Sequence, residues 1–599
     1  MSIVALDKVT LYGAAPQCEA VLEALQRLGC MHLVNLNPSE VHPPVEGLVS
    51  PEAREALKFL RACPTQRRAA KRTGEFDAAR VIAETLENQR RQQALSDERD
   101  AVHKAIAQLT PWGEFRVPPA EELGNARLWF YGVPRRESPK LAGIQVPLTI
   151  AAEDPTSLYV VAVAPEPPEG FPGERVELDR RPLSELLARR DELDELLEEL
   201  HWQRVKLTRW IDLLQRNLDE TDDRAAQSWA EKMALRETDV FAIRGWAPRD
   251  ARSEIEAMAE RNGLAVCFTA PAESDQPPTL LKNRDGVAGA EGAVTFYITP
   301  AYRAWDPTPV MFYSFSLFFG MILADAGYGL LLGLALLLAW RRLGATPRGA
   351  QFRYLLLAIV TVTIVFGILL GSYFGLAPRP DSLLGRFRVL DFEERGQMMA
   401  LSILIGVAHL TLANLIRAWH ARHRAVALGS VGWIAVMFGA LLIATRLLEI
   451  PAAPQIAAVG TGVVVIGLLM VLLFSSDRPL VWSEPRAWAG RLFDGVTALT
   501  GVTKLFGDVL SYLRLFALGL ASAQLAVTFN QLAADVREFR GLGVLLAVVV
   551  LIAGHGINLV LGLVGGVVHG LRLNCIEFFN WSLTEEGTPF RSYHKKVVT

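Results

Sequence analysis

Cysteine is scarce: five occur in 599 residues, Cys18, Cys30, Cys63, Cys267 and Cys575, and none stand in CxxC or zinc-ligand spacing. That argues against a disulfide framework and against a structural metal site, and it fits a reducing compartment. An excess of either charge is also missing, with 61 Lys and Arg against 64 Asp and Glu for a net charge of −3, and there is no long basic run. The electrostatic footprint of a nucleic-acid binder is therefore absent. The opening MSIVALDKV has no basic stretch followed by a long apolar core, so no cleavable signal peptide is read there and the first half is expected in the cytoplasm. Residues 1–305 carry no Walker sequence, no Gly-x-Ser-x-Gly and no His-Glu-x-x-His, so no catalytic residue, metal or cofactor is expected in that half.

What the chain does have is two halves of different kind. Up to about residue 305 charges occur in nearly every block of ten; from Val310 onward apolar runs recur that are long enough for membrane spans. The expected division is 1–305, a stalk-like α+β half, and 306–599, an all-α membrane half. In the first, residues 2–12 alternate as a half-buried strand does, 19–28 has helical spacing, and 32–36 reads as a strand. Further strands are expected at 128–133, 158–164, 240–244 and 264–268, with a helix near 251–262. Two charged stretches, about 51–110 and 181–233, read as helical, and in the second Leu183, Leu186, Leu187, Leu193, Leu196, Leu197, Leu200, Val205, Leu207, Ile211 and Leu214 recur close to three- and four-residue spacing. That pattern suits a long antiparallel helical coiled coil joining two α/β lobes. Fifty helical residues would reach about 75 Å, more than a small domain needs to cover its core, so a connector is expected.

Apolar stretches occupy about 309–340, 354–376, 397–416, 426–447, 456–474, 492–533 and 541–573. The first would be about 48 Å as one helix against a ~30 Å hydrocarbon core, and Asp325 and Gly327 lie near its middle. Reading it as a short hairpin makes eight spans and puts the basic segments 341–353, 417–424 and 478–491, with Lys595 and Lys596, on the cytoplasmic side. The loop 379–395, whose arginines are mixed with Asp381, Asp391, Glu393 and Glu394, then falls outside. A single span there would invert every later loop. The last two stretches, about 63 and 50 Å long, must tilt or break.

Arg514 and Arg572 stand inside those last two stretches, where an arginine costs several kcal/mol at least and normally faces a bundle interior or a watery cavity. At 100° per residue Gly507, Arg514, Leu518, Ala521 and Leu525 share one face, and Gly554, His555, Asn558, Gly565 and Arg572 share another. The second is a polar stripe that could line an ion path. The competing explanation for the arginines is pairing with Asp325 or Asp508, although Asp508 is about 120° out of register with Arg514. For His555 and Asn558 it is interhelical hydrogen bonding, and His409 and His569 read as packing residues. No clear carboxylate partner for the arginines is read in the last two helices, which favours an acid on another chain over a stand-alone transporter or channel; a membrane-anchored scaffold or sensor with structural arginines stays open as a third class.

The segment SYLRLFALGLASAQLA resembles the signature helix of the a/I subunit of V-type and archaeal-type rotary ATPases. RGWAP at 244–248, PPTLLKN at 277–283, DPTP at 306–309, FFGMILADAGYG at 318–329 and HGLRLNCIEFFNWSL at 569–583 extend the likeness. The resemblance implies two cytoplasmic α/β lobes on a coiled coil, and eight membrane helices whose last two, long and tilted, embrace a proteolipid ring. It implies that Arg514 and Arg572 face the ring's ion-carrying carboxylates, with Glu577 in an LRLxxxE context and Ser522, Gln524 and Asp508 along the same path. Asp325 falls in the motif of the first hairpin. Implied partners are the proteolipid c/L ring, E/G-type peripheral-stalk subunits, the C/d-type central-stalk cap and the lipid bilayer; nucleotide chemistry belongs to other subunits. Two departures, Ser522 where eukaryotic relatives carry His and Gly562 where they carry an acid, are compatible with bacterial or archaeal members; lacking the long luminal and N-terminal extensions of eukaryotic versions, the chain is expected in a prokaryotic cell membrane.

Overall fold

A computed structural model describes the chain except residues 1, 38–50, 71–75, 115–123, 125, 391–393, 445–452, 477, 479–484, 540, 584 and 597–599. Parts of four expected features, residues 71–75 of the first charged stretch, Asp391 and Glu393, the end of the 426–447 span, and residues 479–484 of the basic segment 478–491, lie outside the described residues.

The first part of the chain runs β1 (Leu6–Ala14), α1 (Cys18–Leu28), β2 (His32–Val34), α2 (Pro51–Arg61), α3 (Ala78–Leu109) and β3 (Arg127–Pro134). It continues through β4 (Leu148–Glu153), β5 (Ser157–Ala164), β6 (Glu174–Val176), α4 (Leu183–Leu207), α5 (Ile211–Met233) and β7 (Leu235–Arg236). Then come β8 (Val240–Pro248), α6 (Arg252–Arg261), β9 (Ala265–Thr269) and α7 (Glu291–Tyr297). The apolar part holds α8 (Thr308–Leu323), α9 (Ala326–Leu343), α10 (Pro347–Leu370), α11 (Arg395–His420), α12 (Val426–Ala444) and α13 (Ala453–Phe474). It ends with α14 (Pro485–Leu499), α15 (Gly501–Ser511), α16 (Leu513–Arg537), α17 (Gly543–Arg572) and α18 (Phe579–Ser582).

These elements form two compact units that do not follow chain order: one holds 1–12, 30–34 and 243–592, the other 13–29, 35–242 and 593–599. In the second, the sheet β4-β5-β3-β6 is antiparallel, and β5 buries every other residue, Leu158, Val160, Ala162 and Ala164, as a one-sided strand must. β4 and β6 were not expected from sequence; their burial patterns do not alternate cleanly, which leaves no period to read. Helices α3 and α4 lie side by side and antiparallel. Asn88 Nδ2 donates to the Leu200 carbonyl at 3.0 Å, while Arg189 meets Glu98 at 2.8 Å. Among their buried positions are sets at multiples of seven residues, Val81, Asn88, Val102 and Leu109 on α3 and Leu186, Leu193 and Leu200 on α4, beside Thr85, Leu86 and Val205. The second charged stretch is not one uninterrupted helix: a 3-10 turn at Thr208–Trp210 separates α4 from α5, with the Thr208 hydroxyl bonded to the Val205 carbonyl. At 32 residues α3 is the longer arm, about 48 Å rather than 75 Å.

In the other unit the sheet of order β2-β8-β1-β9 buries Leu6, Val9 and Leu11, and α6 buries Ile255 and Met258. Arg249 reaches Asp7 at 3.0 Å. The same unit contains the apolar helices, which share one core from Ala290 to Trp581. The first apolar stretch does break where its acid stands. Ala324 takes a left-handed conformation (φ 49°), and Asp325 caps α9 by accepting from Tyr328 N. Direction follows from packing on α10: Gly320 faces Val362 and Thr363 while Gly367 faces Asp325 and Ala326, so α8 runs parallel to α10. Gly329 faces Ile364 and Gly333 faces Val360, so α9 runs antiparallel. The chain therefore reverses at 324–325. Among the described residues seven helices are long and apolar enough to cross a membrane, from Ala326–Leu343 to Gly543–Ser582, and α8 is a further apolar helix of 16 residues, about 24 Å. The 492–533 stretch lies in α14, α15 and α16, interrupted at Thr500 and Tyr512.

Candidate functional site

Helix α16 starts at a fixed point. Tyr512, between α15 and α16, is fully buried, packs on Gly406 of α11 and hydrogen-bonds His409 Nδ1 at 2.8 Å. His409 in turn stacks on Phe578, centroids 4.3 Å apart, so its packing role holds. Two residues on, Arg514 is partly buried, and its Nη1 has no hydrogen-bond partner among the described residues.

Arg572 closes α17, and there the helix changes pitch: Leu573–Phe578 form a π-helical turn before α18. In an α-helix, residues five apart are 140° off register, whereas the i→i+5 pattern of a π turn stacks them. That brings Glu577 under Arg572, Nε to Oε1 3.8 Å, with the carboxylate 2% exposed, the guanidinium 49% exposed and Glu577 Oε2 buried without a partner. This corrects the expectation that the last helices supply no carboxylate. The α-helical spacing rule could not find the pair because the backbone there is not α. Glu577, Arg572 and Arg514 interact electrostatically, so two cations share one acid.

The acids considered as alternative partners are engaged elsewhere. Asp325, 4% exposed, accepts four hydrogen bonds from neutral donors: Tyr328 N (3.0 Å) and Phe374 N (2.9 Å) on Oδ1, Ser372 Oγ (2.6 Å) and Gly375 N (3.0 Å) on Oδ2. Asp508 accepts from Trp581 Nε1 at 2.7 Å. Neither forms a salt bridge with an arginine among the described residues.

The polar stripe of α17 is a hydrogen-bonded seam. Asn558 Nδ2 donates to the Ser522 carbonyl (2.9 Å) and to Tyr328 Oη (3.0 Å), and Ser522 Oγ donates to Asn558 Oδ1 (3.2 Å). His555 joins Tyr328 Oη (2.7 Å) to Asn530 Oδ1 (3.1 Å), and Asn530 Nδ2 donates to the Phe374 carbonyl (2.8 Å). Interhelical bonding thus accounts for His555, Asn558 and Ser522, and it ties α9, α16 and α17 together. Tyr328 and Asn530 were not singled out from sequence; Tyr328 stood inside a quoted motif, while Asn530 had no signal. The inward face of α17 is Gly554, Asn558, Gly562, Gly566 and Gly570, every fourth residue and all buried. Gly562, Gly566 and Gly570 lie against Leu323, Phe319 and Phe315 of α8. Its other side exposes Ile557, Val560, Leu561, Val564, Val567 and Val568. Gln524 is exposed, and its side chain makes no hydrogen bond among the described residues.

No protein-family model matches the chain. Among curated proteins it is 30% identical to V-type ATP synthase subunit I of Chlamydia pneumoniae over 408 residues, covering 55% of this chain and 57% of that one. It is 30% identical to A-type ATP synthase subunit I of Pyrococcus abyssi over 357 residues, covering 56% and 50%. Subunit I of the V-type ATP synthase of Borreliella burgdorferi is 28% identical over 356 residues, 56% of each. The chain thus spans little more than half the length of these relatives. A crystal structure of the cytoplasmic N-terminal domain of a V-ATPase subunit I, homologous to subunit a, matches 44% of this chain and all of that one at 18% identity. Its TM-score is 0.22, too low for the likeness to bear on the fold.

Proposed function

We propose, on the premise that this chain is a homologue of subunit I of V-type and A-type ATP synthases over about 55% of its length, that it is the membrane stator of such a rotary machine. It carries protons or sodium ions past a proteolipid ring and holds no nucleotide site of its own. Residues 306–599 are read as the translocating part, with eight membrane helices counting the short α8. Residues 1–305 are read as a cytoplasmic stalk-like part, in which the buried sets at multiples of seven residues on α3 and α4 support a coiled coil. On the same reading the carboxyl terminus is cytoplasmic, and the stalk part meets peripheral-stalk and central-stalk-cap subunits.

The observation that carries the proposal is Arg514: a guanidinium in an apolar helix, with Nη1 buried and no acid within salt-bridge distance among the described residues. A partly buried charge in an apolar helix, with its nearest acid shared with Arg572, is unfavourable, so the arrangement makes sense when an anion comes to it from another chain. A guanidinium keeps its proton at any working pH. A ring carboxylate brought against it is held as the anion and gives its ion to the exit path, and the fixed charge bars a cation from crossing directly between the two half-channels. Turning the ring then becomes the way an ion crosses. Arg572 has Glu577 beside it, which partly neutralises it and favours a supporting role.

The test is ATP-driven acidification of membrane vesicles carrying Arg514→Gln, with assembly checked by co-purification of partner subunits. Pumping should vanish with the complex intact. Persistent pumping would make the arginine structural and sink the mechanism.

A further inference from the structure

A second basic site lies away from Arg514, where α11 ends, α12 begins and α13 ends. Gly429 of α12 packs on Phe474 and Ser475, so these helix ends meet at one level beside the basic run Arg422, His423, Arg424. A cavity of about 220 Å³ opens there, lined by Arg417, Lys504, Ser430, Ser475, Trp433 and Trp581 among others. That volume is well above what one water requires. Arg417 comes from the last turn of α11 and Lys504 from the first turn of α15. Lys504 lies over the Trp581 ring at 5.6 Å, and the Trp433 and Trp581 rings meet edge to face at 5.3 Å. Ser430 is 4% exposed and makes no hydrogen bond among the described residues. Leu428 and Val431 of α12, Val496 of α14 and Val502 of α15 are exposed.

We propose that this cavity binds the phosphate of an anionic phospholipid. Two cations and a buried hydroxyl supply donors to phosphate oxygens, tryptophans form the wall usual at the headgroup level, and the exposed aliphatics offer a path for acyl chains. Basic pockets between membrane helices on the cytoplasmic side are suited to anionic headgroups, because that leaflet carries them. The inference rests on the orientation proposed above, which places 417–424 on the cytoplasmic side. Free inorganic phosphate shares the chemistry but has no use for the aliphatic flank.

The experiment is native mass spectrometry of the full-length protein in neutral detergent, titrated with phosphatidylglycerol, with phosphatidylcholine and with inorganic phosphate. Phosphatidylglycerol should be retained, phosphatidylcholine should not, and equimolar inorganic phosphate should not displace the retained lipid. The Arg417→Gln/Lys504→Gln pair should weaken retention roughly fivefold per cation, about twenty-five-fold together. Ser430→Leu, which fills the cavity without touching a charge, should weaken it too and serves if the double variant does not fold. Unchanged retention in both variants, or displacement by inorganic phosphate, overturns the proposal. Lipid retention is read without pumping, so it can fail while the Arg514 mechanism stands, and the reverse.

Discussion

Asp325 offers the sharpest test of how the first apolar hairpin is held. All four of its partners are donors, so the group there must be an acceptor on both oxygens, as a carboxylate is. Asp325→Asn keeps one acceptor oxygen for Tyr328 N and Phe374 N and turns an amide toward Ser372 and Gly375. The Ser372 hydroxyl can rotate and accept instead; the Gly375 N–H cannot. Hydrogen bonds to a charged acceptor are each worth about 1.5–3 kcal/mol, so losing two and recovering part of one costs about 2–5 kcal/mol. Asp325→Ala also removes the α9 cap and costs more. A unit of this size should then melt lower by about 3–6 °C for Asn. The assay is thermal unfolding of the detergent-purified protein followed by tryptophan fluorescence at one scan rate, with the exposed Glu538→Gln as control. An Asn variant melting within about 1 °C of the parent would refute the reasoning.

Gly367→Ala places a Cβ against the backbone of Asp325 and Ala326, which cannot give way, so the hairpin should separate from α10; reduced yield and a melting temperature below that of Asp325→Asn check this. Arg572→Gln and Glu577→Gln should be non-additive by about 1 kcal/mol in a double-mutant cycle read on stability, since the groups are 3.8 Å apart; strict additivity would mean the contact is idle. In the β4–β5 turn, hydrogen bonds from Thr156, Ser157 and Tyr159 lower the pKa of Asp154 to about 2. Because the folded value is depressed, the turn's stabilisation is present above the ordinary carboxylate value of 3.8 and is lost as pH falls through about 2. Asp154→Asn should accordingly speed amide exchange at Thr156 and Ser157 at neutral pH, and equal exchange in both proteins would contradict the assignment.

Local chemistry by itself determined a good deal. Apolar length located the helices long and apolar enough to cross a membrane, since an apolar run can be read whatever its neighbours are. An acid and a small residue in the first long run marked the reversal at 324–325, alternation located β1, and strand-like runs located β3, β5, β8 and β9. Leu186, Leu193 and Leu200 announced the face that α4 turns to α3. Arg514 could be picked out because a charge in an apolar run is conspicuous in one dimension. What it meets could not be: Asp325 lies 189 positions away from it in sequence and is claimed instead by 372–375, whose backbone donors leave no trace in side-chain pattern. The Arg572–Glu577 contact depended on a change of helical pitch, and the His555–Tyr328–Asn558 seam on which helices become neighbours. Periodicity records which side of an element is buried; which groups then meet is decided by packing, where partners distant in the chain compete for the same donors and acceptors.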